Sequence, residues 1–193
     1  MEKTAPLHQD AQRLLLALMA GVAYYMAFRL NQQLDRWVLY GQGIALVFLP
    51  AGIKHVAILI ARGWGALGCF AALMWLSFEF WQGITVMQAA AYSGLSTLAS
   101  WASIQAGMRL LGIRQELDNL RFMHLPILDL ITTAVHGFAV NAYFIAVGMK
   151  QEQLLANAMA MMFGDYAGSF IVLTGLWAGL LVVRRLQQPA RPL

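Results

Sequence analysis

The chain has 193 residues, of which 60% are hydrophobic and only 11% charged, with a mean hydropathy of +0.62. A soluble domain is about 45–50% apolar and about 25% charged, and a short chain buries too little of its surface to hide such an excess. This composition excludes a soluble enzyme and a disordered chain, and a single cysteine, Cys69, excludes a disulfide-stapled secreted domain.

The continuous apolar runs are long enough to cross hydrocarbon as helix and lack the alternation of an outer-membrane strand. The expected fold is therefore an all-α, polytopic transmembrane helix bundle forming one integral membrane domain over 1–193. Six spans are drawn, at 14–30, 38–61, 66–81, 84–111, 125–149 and 154–183. The first follows a polar head containing Glu2 and Asp10 and is not read as a cleaved signal peptide. The second contains Leu49-Pro50-Ala51-Gly52. Proline removes a backbone donor and disfavours helix at the residue before it, yet suits the first turn of a new helix. An outer half-segment, 38–49, followed by a short helix, 50–61, is expected there, as a broken or re-entrant element. The Arg62-Gly63-Trp64-Gly65 turn then joins the second and third spans as a helical hairpin.

Lysine and arginine placement sets the orientation. With an inner N-terminus, nine fall on the inner side (Lys3, Arg13, Arg62, Arg109, Arg114, Arg121, Arg184, Arg185, Arg191) and three on the outer side (Arg29, Arg36, Lys150). Both termini are expected in the cytoplasm. The net charge of +4 is accounted for by loops facing anionic lipid, so the bilayer is the expected partner and nucleic acid is not.

Charge within a span is costly and marks a functional candidate. Lys54, Glu79, Asp129, His136 and Asp165 qualify. At ~1.5 Å per residue, Lys54 lies roughly 12 Å from the inner boundary, His136 roughly 18 Å from it, and Asp165 roughly 16 Å from the outer one. These three converge near the midplane. Asp129 lies about 7 Å in, within reach of a snorkelling lysine, and Glu79 is interfacial. Asp129, Thr132, Thr133 and His136 form one polar stripe on the fifth span. Lys54, His136, Asp165 and Asp129 are the candidate ligand-binding residues; a buried ion pair fixing helix register is the alternative. Ser93, Ser96 and Ser100 on the fourth span, and Gly164 and Gly168 on the sixth, are read as close helix-packing positions. His55 lies about 100° around the helix from Lys54 and is read as packed. No metalloprotease, nucleophile-elbow, P-loop or dinucleotide motif occurs, so no catalytic residue, metal or cofactor is expected.

Leu49-Pro50-Ala51-Gly52-Ile53, the short helix, and the Arg62-Gly63-Trp64-Gly65 turn resemble the first MASE-type membrane-associated sensor family. Leu117-Asp118-Asn119-Leu120-Arg121 before the fifth span, and Met162-Phe163-Gly164-Asp165-Tyr166-Ala167-Gly168, extend the resemblance over roughly 38–181. In that family the module senses a signal within or through the membrane and is fused to kinase or cyclase outputs. The resemblance implies a sensor-like or ligand-binding module of the bacterial inner membrane. With no output domain read here, it is expected to stand alone and act through another membrane protein. A structural or assembly subunit of a larger complex, or a small substrate-binding transport component, are the alternatives.

The charge bias makes a direct prediction. Single cysteines placed at Gln33 and Gln151 should be labelled from outside by an impermeant maleimide. A cysteine at Gln115 should react only after permeabilisation, and its labelling in intact cells would reverse the assigned topology.

Overall fold

The computed structural model describes residues 6–41, 44–148 and 153–187. Lys3, Lys150 and Arg191, part of the charge asymmetry, lie outside the described residues. Among the described residues, five helices make up the bundle: α1 (Pro6–Val38), α2 (Leu49–Phe80), α3 (Val86–Leu110), α4 (His124–Ala146) and α5 (Leu154–Gln187). Four are long and apolar enough to cross a membrane, over Gln9–Val38, Leu49–Phe80, His124–Ala146 and Leu154–Gly179. The six expected spans thus reduce to four by this measure, for two reasons. α3 has adequate length at 25 residues, but Ser93, Ser96, Thr97, Ser100 and Ser103 lower its hydropathy. The second and third expected spans meet in one helical element, α2, broken only at Arg62 (φ 54°, ψ −126°).

That break is a reversal of the chain. In a straight helix, residues 57 and 65 would stand about 12 Å apart. A β-carbon built on Gly65 would instead collide with the carbonyl of Ala57 and lie 3.1 Å from the amide nitrogen of Ile58. α2 is therefore a tight hairpin with a first arm, 49–61, and a second arm, 63–80. Arg62 holds a left-handed conformation that costs an L-residue energy. Its guanidinium donates to both the side-chain and the backbone oxygen of Gln115, in the loop before α4.

The segment before Pro50 corrects the sequence reading. It is not a helical half-segment. Leu39–Gly41 (β1) and Ile44–Ala45 (β2) pair antiparallel, Leu39 opposite Ala45 and Gly41 opposite Ile44. Gly41 has φ 146°, which favours glycine, and Pro50 supplies no donor for a preceding helix. Non-helical backbone at membrane depth needs protein partners, and here it has them. Leu46 N donates to Val38 O (2.7 Å), Phe48 N to Gly164 O (2.9 Å) and Leu49 N to Asn31 Oδ1 (2.8 Å). α1 and α5 thus both hold the entrance to α2.

Gly164 and Gly168 face this entrance, not another helix. A β-carbon at Gly164 would strike the carbonyl of Ala45, and one at Gly168 the carbonyl of Phe48. A small-residue contact that the sequence reading missed joins α1 to the second arm of α2. There a β-carbon on Gly21 would sit 2.9 Å from Gly68 O.

Two apolar clusters bracket the interior. Ala20, Tyr24, Cys69, Leu73 and Leu76 join α1 to the second arm. Ile58, Ile104, Met108, Ile113 and Leu128 join the first arm to α3 and α4. Large side chains such as Leu14, Leu18, Met26, Trp75, Leu98, Leu130 and Phe170 remain exposed on the outside, the surface a bilayer would solvate.

Replacing Gly168 with leucine should drive a side chain into the backbone of Phe48. Overpacking of this kind costs about 1–3 kcal/mol, so the melting temperature in mild detergent should fall. An unchanged melting profile would contradict the backbone contact.

Candidate functional site

The first arm of α2 begins at Pro50 and presents consecutive residues, Lys54 and His55, to different neighbours. Both are buried, at 1% and 8% exposure. The polar stripe of α4 faces the same interior, with Asp129, Thr132, Thr133 and His136 all buried. α5 contributes Asp165 and Ser169, one turn apart, and α3 contributes Ser96. Four helices thus supply two stacked polar layers.

The upper layer is continuous. His136 Nδ1 lies 2.6 Å from Asp165 Oδ2. A carboxylate offers only lone pairs, so the ring nitrogen carries the hydrogen and donates. That leaves Nε2 of a neutral ring as an acceptor. Ser96 Oγ lies 2.9 Å from Nε2 and donates to it. Lys54 Nζ donates to Ser96 Oγ at 3.2 Å and stands 3.2 Å from Nε2 as well. The donor order runs Lys54, Ser96, His136, Asp165: an ammonium at one end, a carboxylate at the other, and two groups between them able to pass a proton.

The lower layer pairs His55 with Asp129, Nδ1 to Oδ1 at 2.5 Å, with Ser169 Oγ 3.3 Å from the same nitrogen. The sequence places Asp129 within reach of a snorkelling lysine and reads His55 as packed. The structure joins the two to each other instead. The signal available in the sequence was the shared depth of a histidine and an aspartate on different spans. His55 Nε2 has no partner among the described residues.

Other expected residues behave differently. Thr132 and Thr133 turn their hydroxyls back to Leu128 O and Leu130 O, so they do not bridge the layers as donors. Ser100 likewise bonds Ser96 O of its own helix. Ser93 is fully buried, and its hydroxyl has no partner among the described residues. Glu79 sits at the far end of α2, where it accepts from Trp75 Nε1 at 2.7 Å and lies 3.5 Å from Arg29.

The order Asp165, His136, Ser96 is that of a carboxylate, imidazole and hydroxyl in acyl-transfer enzymes. Here the hydroxyl is 1% exposed and already engaged by Lys54 and His136. Its one hydroxyl hydrogen goes to His136 Nε2 while its oxygen accepts from Lys54, which makes it a link in the path between the two ends. Among the described residues, no three His, Cys, Asp or Glu side chains are placed to hold a metal ion.

No protein-family model, curated protein or solved structure matches the chain.

Breaking a buried pair by removing one partner costs about 3–5 kcal/mol, because the other charge is left uncompensated. Lys54→Met alone and Asp165→Leu alone should each be destabilising on that scale, as read by chemical denaturation in detergent. A neutral effect of either single change would show that these two charges do not depend on each other.

Proposed function

We propose that this chain is an integral membrane module of sensor type, which responds to its signal through the buried charge chain and acts through a partner membrane protein. One observation carries this reading: Lys54, Ser96, His136 and Asp165 come from four helices and are joined in a single hydrogen-bonded path. A change of proton or ligand anywhere on the path alters the packing of α2, α3, α4 and α5 together. Buried, interacting ionisable groups of this kind concentrate at functional sites. The resemblance to the first MASE-type family points the same way, with the output supplied by the partner.

In this reading the chain crosses the bacterial inner membrane six times, counting the broken element before Arg62 as one crossing, and both termini are cytoplasmic. The nine-to-three distribution of lysine and arginine supports it. So does the contact between Arg62 and Gln115, which sets two loops assigned to the inner side against each other.

A second reading, a structural or assembly subunit, draws on a different feature. The upper layer is closed and internally neutral, Lys54 balancing Asp165, as a register-fixing pair would be. The double variant Lys54→Met with Asp165→Leu separates the two, since an apolar replacement of a buried pair is often neutral for stability. A sensor should fold, retain its partner in mild detergent, and leave the partner's output unresponsive to stimulus. Full responsiveness of the double variant would assign the pair to structure alone.

A further inference from the structure

A cavity of about 30 Å³ lies beneath the upper layer, lined by His55, Asp129 and Thr132 among apolar side chains that include Ile104, Leu128 and Leu173. This is room for one water molecule. A second cavity of about 10 Å³ shares Leu125, Asp129 and Leu173 with it and extends to Phe122, at the start of α4. Phe122 is exposed. The two spaces therefore lie in series between the end of the bundle and the His55–Asp129 pair.

His55 is more than nine-tenths buried and its Nε2 has no partner among the described residues. Leaving a buried polar atom unmet is costly. Its neighbours make the site selective for a hydrogen-bond donor. Asp129 keeps a second carboxylate oxygen, and the hydroxyl of Thr132, already donating to Leu128 O, has only acceptor capacity left. Nε2, a carboxylate oxygen and a hydroxyl oxygen give one water the two to four partners that a buried water needs.

We propose that this cavity binds a single water molecule on His55 Nε2, and that the His55–Asp129 pair is where protons enter the buried polar core. The inference deepens the charge-linked reading above and rests on it only for its consequence, not for the water site. The step is balanced. Hydronium arriving from the Phe122 end gives one proton to Nε2, the cavity water is left neutral, and the ring becomes imidazolium while Nδ1–H continues to bond Asp129. The charged or titratable groups around the ring are Lys54 on its own arm, Asp129 and His136 on α4, and Asp165 on α5. No lysine, arginine or carboxylate of α3 faces it, and α3 offers Ile104 there. With Lys54 and Asp165 balanced in the upper layer, the new positive charge is compensated by Asp129.

The test is water-edited solid-state NMR on the full chain, labelled at histidine with ¹³C and ¹⁵N and reconstituted in liposomes. His124, at the start of α4, serves as the wetted reference, and His136, whose two ring nitrogens are both engaged, as the dry one. The His55 ring should gain water polarisation at the pace of His124, ahead of His136. Its Nε2 resonance should move from the unprotonated to the protonated position when the sample is acidified, as a proton-accepting ring nitrogen requires. Leu128→Phe, which fills the cavity, should abolish the fast transfer at His55 and leave His124 unchanged. A His55 ring that tracks His136 would show a dry cavity and overturn the water site. A wetted ring whose Nε2 stays unprotonated on acidification would overturn proton entry. Both readings come from the unsubstituted protein, so they stand if the variant fails to fold. Neither depends on the partner's output, so the sensor reading can fail while this one holds.

Discussion

An ammonium and a carboxylate enclosed among apolar helices constrain everything around them. Neither can lose its partners without leaving a bare charge in a low-dielectric interior. Lys54 is therefore tied to Ser96 and His136, and Asp165 to His136. Because these residues lie on four different helices, the requirement to keep them bonded fixes the rotation of each helix about its axis. The apolar clusters on either side can tolerate small slips in packing, since dispersion contacts are many and weak. A hydrogen bond of 2.6 Å to a buried carboxylate cannot.

The features legible in the sequence were those that depend on position along a helix. Depth follows from residue count, so the sequence alone places Lys54, His136 and Asp165 at one level. The stripe of Asp129, Thr132, Thr133 and His136 follows from helical spacing and is buried as a face. Pro50 and the Arg62-Gly63 turn are local backbone signals, and the chain indeed starts a helix at one and reverses at the other.

What remained hidden depends on which neighbour stands across from a given face. His55 looked like packing because only its offset from Lys54 was known. An arm surrounded by α3, α4 and α5 has a polar partner in more than one direction. Gly164 and Gly168 announced a close approach, but glycine spacing does not say whether helix or extended chain comes near. The strand pair of Leu39–Gly41 and Ile44–Ala45 was hidden for a related reason: its residues are as apolar as those of a span, and the chain just after it is held by bonds from Phe48 N to Gly164 O and from Leu49 N to Asn31 Oδ1, partners distant in sequence. The serines of α3 lower its hydropathy although they are buried in the bundle.

The bond from Phe48 N to the carbonyl of Gly164 has a bearing on how the protein is made. Translation delivers the entrance to α2 well before α5. Until α5 arrives, the amide of Phe48 lacks its acceptor and His136 lacks Asp165, and an unmet polar group in hydrocarbon costs several kcal/mol. The nascent segment around Phe48 therefore has reason to wait near water or the insertion machinery while α3 and α4 are threaded. The closing of the bundle and the completion of its charge chain then coincide. Lys54, Ser96 and His136 all precede Asp165 in the chain, so the counter-charge joins the path only with α5.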